Sequence, residues 1–463
     1  MKPAPTSAKR GGSLAALFGV AALAVACSVT NTFDEVRQSS AGGSGASGGA
    51  GAAGGVAGSG GTLGGTTAAG TGGTAGVDPA PAGLIMVAGV GDGEAGRESV
   101  IAALSPHSGR EYARRSFGAG RSVRVAYDAA TDVWYVFAQV GTVTEPFELH
   151  TLRFDRVARR FTELATLTVP APKGVIAVLN QRLYYQSVVQ EVSAPPTEGF
   201  TLVRVVTPEA PELVQPPQDT PLLSGTVFAM VSRPSAAPGG VVNVFIKDAS
   251  CPAGVGGPAC DVRVRRASIR EAATTAQFAV ESQVLGRVLQ SGGSAAATRA
   301  GDDDVIVLPD PSWVDGLPDV WAGQAQRFHS TTFATLATYP FEVNGPAIRD
   351  AAWDACSGVV FATELAKDAA IFAIPTASGG TTFRLGVSTP PVAAVHFEPI
   401  TRSVLQPKDD PTNYSIRAFA LGGTSLEPVL TERLPGSALP WEPPPDLRPI
   451  QVAIEEPRSP ACP

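Results

Sequence analysis

The chain has 463 residues, a formal net charge of −7, 17% charged residues and 44% hydrophobic residues. That apolar fraction is ordinary for a protein that buries a core, and the length allows one large domain or two. Its cations are scattered and no block of Lys or Arg occurs, so the clustered positive charge that tracks phosphates is missing and nucleic acid is not an expected partner.

At the N-terminus Lys2, Lys9 and Arg10 precede an uncharged run from Ser13 to Ala26 that carries Leu14, Leu17, Phe18, Val20, Leu23 and Val25. The run is about 14 residues, short of the roughly 20 that span a bilayer as a helix, and fits the apolar region of a signal peptide. It ends in Leu23-Ala24-Val25-Ala26-Cys27. This resembles the lipobox of bacterial lipoproteins, with Ala24 where leucine is usual and Leu23 one step earlier. The resemblance implies a signal peptide over residues 1–26, cleavage before Cys27, and lipid on the sulfur and new amine of Cys27. Ser28, rather than Asp, implies sorting to the outer membrane of the cell envelope. The membrane is then a partner through the anchor, which is stable with two or more acyl chains at about 0.8 kcal/mol per buried methylene. A plain secretory signal with an unmodified Cys27 thiol is the alternative.

Residues 27–81 read as a tether. No charge occurs from Gln38 to Val77, and from Ala41 onward Gly, Ala, Ser and Thr make up nearly everything. Such a segment buries too little apolar surface to offset its chain entropy and is expected to be disordered. Over about 50 residues a flexible coil reaches roughly 40 Å. Gly45-Ala46-Ser47-Gly48-Gly49 matches G-x-S-x-G by letter, but that nucleophile motif needs a strand before it and a helix after it, and both flanks are low-complexity.

From residue 82 to 457 short runs rich in Val, Tyr, Phe and Thr recur between Gly, Pro, Asp and Asn, which predicts strands. Arg121–Tyr127, Trp134–Gln139, Glu148–Phe154, Arg182–Val189 and Tyr414–Ala420 are examples. The 40 prolines oppose long helices; Ser268–Gln277 is the best helical candidate. The expected class is all-β. A repeat is visible: Val125-Ala126-Tyr127-Asp128, then Val133–Val136; Ala351-Ala352-Trp353-Asp354, then Gly358–Phe361; Ala394–Glu398, then Arg402–Leu405. Each copy is a strand ending in an aromatic and an acid, a tight turn and a second strand, followed by two more strands. Trp353 and Phe397 stand about 44 residues apart. A four-stranded unit of that length resembles a β-propeller blade. Weaker units cover Lys173–Val214, Leu223–Leu285 and Ala295–Tyr339, giving about seven blades. Only three strands, Leu84–Ala88, Ser99–Leu104 and Glu111–Phe117, precede the first copy, and Pro449–Ile454 is a lone strand near the end. Docking that strand on the first sheet would close the ring, leaving residues 458–463 as a tail. The alternative is two β-sandwich domains divided near Pro216-Pro217.

Five cysteines occur. With Cys27 lipidated, four remain in an exported chain, where disulfides form. Cys251 and Cys260 bound a Gly/Pro loop and read as a local bridge, worth about 2–3 kcal/mol in the chain-entropy model. Cys356 then pairs with Cys462 by elimination. Free buried thiols are the alternative for both pairs.

No catalytic, cofactor or metal residues can be assigned from motifs. His107, His150, His329 and His396 are the only histidines, and none is at ligand spacing. Asp302-Asp303-Asp304 and Lys408-Asp409-Asp410 lack the alternating calcium-loop form, Gly91-Asp92-Gly93-Glu94 reads as a loop without a helix after it, and Trp313 and Trp321 read as packing between blades. Asp128, Asp354 and Glu398 hold equivalent repeat positions. They either converge on the axis or cap their own turns, and capping is the commoner use. The leading expectation is therefore a non-enzymatic, lipid-anchored module that binds an envelope protein or a glycan. The alternative is an envelope glycan hydrolase or lyase with a site at the propeller axis. The oligomeric state is not legible.

Overall fold

The computed structural model describes residues between 83 and 455, apart from several connections, among them 140–146, 190–196, 215–225, 251–259, 271–280 and 314–320. The leader, the tether and the tail lie outside the described residues, as do Cys27, Cys251 and Cys462. Among the described residues no helix is long and apolar enough to cross a membrane. The described secondary structure is all-β, 29 strands in chain order. Ser268–Arg270, the start of the helical candidate, instead ends the strand Cys260–Arg270. Ala267 and Ile269 pair in register with Val244 and Val242, and this ladder outweighs a weak helical spacing.

The strands form seven antiparallel sheets, six of four strands and one of five. Sheet one orders Leu447–Ile454, Ile85–Gly93, Gly96–Leu104 and Glu111–Ala119. Sheet two runs from Val123–Asp128 to Arg160–Val169, sheet three from Ala171–Leu179 to Ala210–Val214 and sheet four from Thr226–Arg233 to Glu281–Val288. Sheet five, the five-stranded one, begins with Ser294–Thr298; sheets six and seven begin with Ile348–Asp354 and His396–Glu398. The lone C-terminal strand docks where the sequence places it, with Ile454 opposite Ile85 and Leu447 opposite Gly91. A register shift at Ala88/Gly89 lets Pro449, which has no N–H to give, enter the ladder. Gly89 is required there, because a Cβ would meet the Arg448 carbonyl at 2.2 Å.

The first strand of each sheet, here the leading strand, lies beside the leading strand of the next. Val123–Asp128 is against Ala171–Leu179, and so on to His396–Glu398; Leu447–Ile454 lies against both His396–Glu398 and Val123–Asp128. The sheet faces share apolar clusters in the same order. Met86 and Ile101 of sheet one pack with Val125 and Trp134 of sheet two, Phe137 of sheet two packs with Tyr185 of sheet three, and Phe361 of sheet six packs with Phe397 of sheet seven. Leu405 and Ala418 of sheet seven pack with Ile85, Leu447 and Val452 of sheet one. Strands inside the sheets, such as Val133–Gln139 and Ala370–Pro375, are buried on both faces and read as continuous apolar runs, whereas the outer Arg160–Val169 is largely exposed. Two sandwiches divided near Pro216-Pro217 would stack sheets in pairs within each half. Instead sheet one takes strands from both chain ends and packs on two neighbours.

Candidate functional site

The repeat acids settle first. Asp128 accepts the Ala130 N–H at 3.0 Å and the Thr131 hydroxyl at 2.7 Å. Asp354 accepts the Cys356 N–H at 2.9 Å and the Ser357 hydroxyl. Glu398 accepts the Ile400 and Thr401 N–H groups, both at 2.7 Å, and the Thr401 hydroxyl. All three are buried. Four residues beyond each acid the backbone turns left-handed, at Asp132 (φ 57), Gly358 (φ 66) and Arg402 (φ 52). The repeat is thus an acid, two free positions, Ser or Thr, and a left-handed residue. These acids cap turns and do not converge as a catalytic set. The hydroxyl three residues on is the sequence signal that distinguishes a capping acid from a free one.

A second position in the leading strands carries different chemistry. Four residues before Asp354 stands Asp350, whose Oδ2 reaches across to accept the Val395 N–H, just before the leading strand of sheet seven, at 2.9 Å, while Oδ1 accepts the Ala351 N–H at 2.9 Å. Four residues before Glu455 stands Gln451, whose Oε1 accepts the Val125 N–H of sheet two at 2.9 Å and whose Nε2 donates to the Val125 carbonyl at 3.1 Å. At the seam of sheets three and four, Gln186 does the same from a second strand, accepting the Val227 N–H at 3.1 Å. A leading strand has one edge without a ladder partner, and these side chains satisfy the groups on it.

The equivalent residue four before Asp128 is Arg124, which has donors only and cannot make that bond. Among the described residues no carboxylate pairs with its guanidinium; burial alone lowers its pKa, and it stays a cation at working pH. Arg124 and Asp350 are both only partly buried by surface yet closely surrounded by protein atoms. Burial pushes the Asp350 carboxyl up to about 7, against the two N–H bonds that pull it down. Burial likewise pushes His396, on the leading strand of sheet seven, down to about 4, so its imidazole is neutral at pH 7. Its Nε2 has no hydrogen-bond partner among the described residues. Asp350, Arg124 and Gln451 stand at the same position, four residues before Asp354, Asp128 and Glu455, and are the candidate site residues.

The other histidines lie elsewhere. His150 sits on the outer side of sheet two, with Nδ1 2.9 Å from Glu163 and its ring 4.7 Å from that of Phe117. Burial raises the Glu163 carboxyl, but hydrogen bonds from Thr166, His150 and Arg115 outweigh it and hold it down at about 2. His107 is exposed in a turn, where its carbonyl accepts Arg433. The His329 Nδ1 accepts the Thr332 N–H at 3.4 Å. Trp313 and Trp321 face each other across a short ladder. Gly91–Gly93, read as a loop, belongs to a strand, with Asp92 opposite Arg97. Cys356 is disulfide-bonded in the exposed turn after Asp354. Cys260 opens a strand. Among the described residues no group of three or more His, Cys, Asp or Glu is placed to hold a metal ion.

No protein-family model matches the chain, and no curated protein does. Solved structures do. The periplasmic gluconolactonase of Pseudomonas aeruginosa superposes with a TM-score of 0.51 at 15% identity, over 80% of this chain and 98% of that one. A candidate 6-phosphogluconolactonase from Bacteroides fragilis gives a TM-score of 0.48 at 11% identity, over 80% and 98%. One from Bacteroides uniformis gives 0.47 at 13%, over 80% and 99%. The likeness to the Pseudomonas protein shows a propeller-like fold. It also corrects the order of the functional readings. The non-enzymatic binding module stood first because no catalytic motif is legible, but this scaffold is shared with a protein named as a hydrolase. The physical reason for the error is that a shared scaffold is set by strand order and burial, which leave no local motif in the sequence.

Proposed function

We propose that the chain is an envelope hydrolase of the lactonase type, built as a seven-bladed propeller whose ring is completed by Leu447–Ile454. The reaction would occur at the axis, at the level of Arg124 and Asp350. The observation that carries the reading is the use of one strand position for both a carboxyl poised near neutrality and a cation with no counter-charge among the described residues. The propeller-like fold and the name of the Pseudomonas protein, a periplasmic gluconolactonase, support the choice of reaction and an envelope location. The seven sheets and the neighbour order of their leading strands support the ring.

The chemistry asks little of the protein. A lactone is a cyclic ester, and its carbonyl carbon is attacked by water. Ionised Asp350 takes the proton of that water, which suits a carboxyl whose pKa lies near the working pH. Negative charge then develops on the carbonyl oxygen, and Arg124 stabilises it in surroundings of low dielectric. The ring C–O bond breaks, Asp350 returns the proton to the leaving alkoxide, and the hydroxy acid departs, losing its own proton to solvent. His396, neutral and close to the Asp350–Val395 seam, keeps a second positive charge away from that carboxyl.

The test is ring opening of glucono-δ-lactone, and of a panel of γ- and δ-lactones, followed by proton release with the mature chain. Asp350→Asn and Arg124→Gln should each lower kcat/KM by roughly a hundredfold while the circular dichroism spectrum is kept. A wild-type protein that adds nothing to spontaneous hydrolysis across the panel would refute the proposal.

A further inference from the structure

The C-terminal strand brings more than a fourth member to sheet one. Gln451 makes two hydrogen bonds to a single residue of the next sheet, Val125, at 2.9 Å to its N–H and 3.1 Å to its carbonyl. The Val125 N–H belongs to the peptide plane that follows Arg124, so the first of these bonds fixes the backbone dihedral on the C-terminal side of Arg124. The second fixes the next plane. On its other edge Arg124 is tied into the ladder opposite Phe137. Its backbone is therefore held from both sides, by Val133–Gln139 within the sheet and by Gln451 across the seam. Its guanidinium has no ion pair to hold it among the described residues, so backbone placement is what aims it. Gln451 contributes an acceptor and a donor at once, which glutamate or leucine cannot.

We infer that Gln451 is a positioning residue for Arg124, so that the last strand of the chain completes the reactive site as well as the fold. The inference rests on the hydrolase reading above. A displaced Arg124 would weaken stabilisation of the transition state more than binding of the ground state, which lowers kcat with KM little changed.

Gln186→Leu is the control, because Gln186 makes the same kind of bond at a seam remote from Arg124 in sequence. Gln451→Leu and Gln451→Glu are compared with it by lactone kinetics, thermal unfolding and hydrogen exchange at the Val125 amide. The expected result is a kcat lower by about tenfold in both Gln451 variants at a temperature where they are folded. KM should stay within about twofold. Gln451→Leu should expose the Val125 amide to exchange, and Gln186→Leu should melt earlier but turn over like the wild type. If both leucine variants merely melt earlier with unchanged kcat, Gln451 is a seam clamp and the inference fails while the hydrolase reading stands. If the wild type itself does not open lactones, the hydrolase reading falls and this role falls with it. If Gln451→Leu does not fold, Gln451→Glu carries the comparison, and unchanged kcat in that variant overturns the inference.

Discussion

Removing everything after Pro445 should unfold the whole domain rather than trim an end. The strand Leu447–Ile454 buries Leu447 and Val452 to 3% and 1% exposure. Full burial of such side chains contributes about 1.5–3 kcal/mol each, so these two alone carry roughly 3–6 kcal/mol. Deletion also uncovers Ile85, Met86 and Val87, which are 0% exposed against that strand and its neighbours, for a loss of similar size. The Gln451 bonds to Val125 and the Asp446–Arg114 pair at 2.7 Å go as well. The sum is comparable to the 5–15 kcal/mol that hold a typical domain together. Leu447→Ala is a gentler form of the same experiment and should cost about 3 kcal/mol. Far-ultraviolet circular dichroism on heating reads both variants, and hydrogen exchange reads the strand directly, with slow amides expected from Gln451 to Ile454. An unchanged midpoint in the deletion, together with free-chain exchange at those amides, would refute the ring.

Other outcomes follow from single residues. Cys27→Ala should leave unprocessed precursor and abolish partitioning into detergent; normal lipid labelling of that variant would contradict the anchor. Non-reducing peptide mapping should join Cys356 to Cys462, since Cys356 is bonded and Cys251 and Cys260 bound one local loop; a bond from Cys356 to any other cysteine would exclude that pairing. Asp350 sets a pH dependence. Its folded pKa is raised from 3.8 to about 7, so between those values the folded state holds a proton that the unfolded chain has lost. Stability from this group therefore falls as pH rises from about 4 to 7, while kcat/KM rises through pH 7 as the base ionises. Asp350→Asn should flatten both limbs relative to wild type, and identical profiles would remove Asp350 from the mechanism.

The repeat was legible because each copy buries an aromatic at the same place. Tyr127, Trp353 and Phe397 all pack toward the preceding sheet, so their spacing survives divergence. The three weaker units also coincide with sheets, since inner strands need continuous apolar runs whatever their exact residues. The C-terminal strand of sheet one could be found by the absence of any local partner for Pro449–Ile454. The site could not. Nothing local separates Asp350, which bonds across a seam, from Asp354, which caps a turn, until the Ser357 hydroxyl is recognised as the capping partner. Arg124 looks like any strand arginine in the sequence. The lack of a counter-charge for it among the described residues is a property of the assembled sheets, and the same is true of the Asp350 and His396 shifts, which come from burial.

The leading-strand position shared by Arg124, Asp350 and Gln451 separates stability from function in a way that can be measured. Gln451 and Asp350 accept an N–H from the next sheet's leading segment, so removing either leaves a donor without that partner, at a cost of about 1–3 kcal/mol. Arg124 can accept nothing, and its cation is held among protein atoms without an ion pair among the described residues. A buried charge of that kind opposes folding, and a shape-filling apolar residue in its place is commonly neutral or stabilising. Arg124→Leu should therefore keep or raise the unfolding midpoint while abolishing lactone hydrolysis, whereas Gln451→Leu should lower both. Residues kept at the expense of stability belong to function. If Arg124→Leu instead destabilises the domain as much as Gln451→Leu, the guanidinium is part of the scaffold, and the axial site has to be sought among other residues of the leading strands.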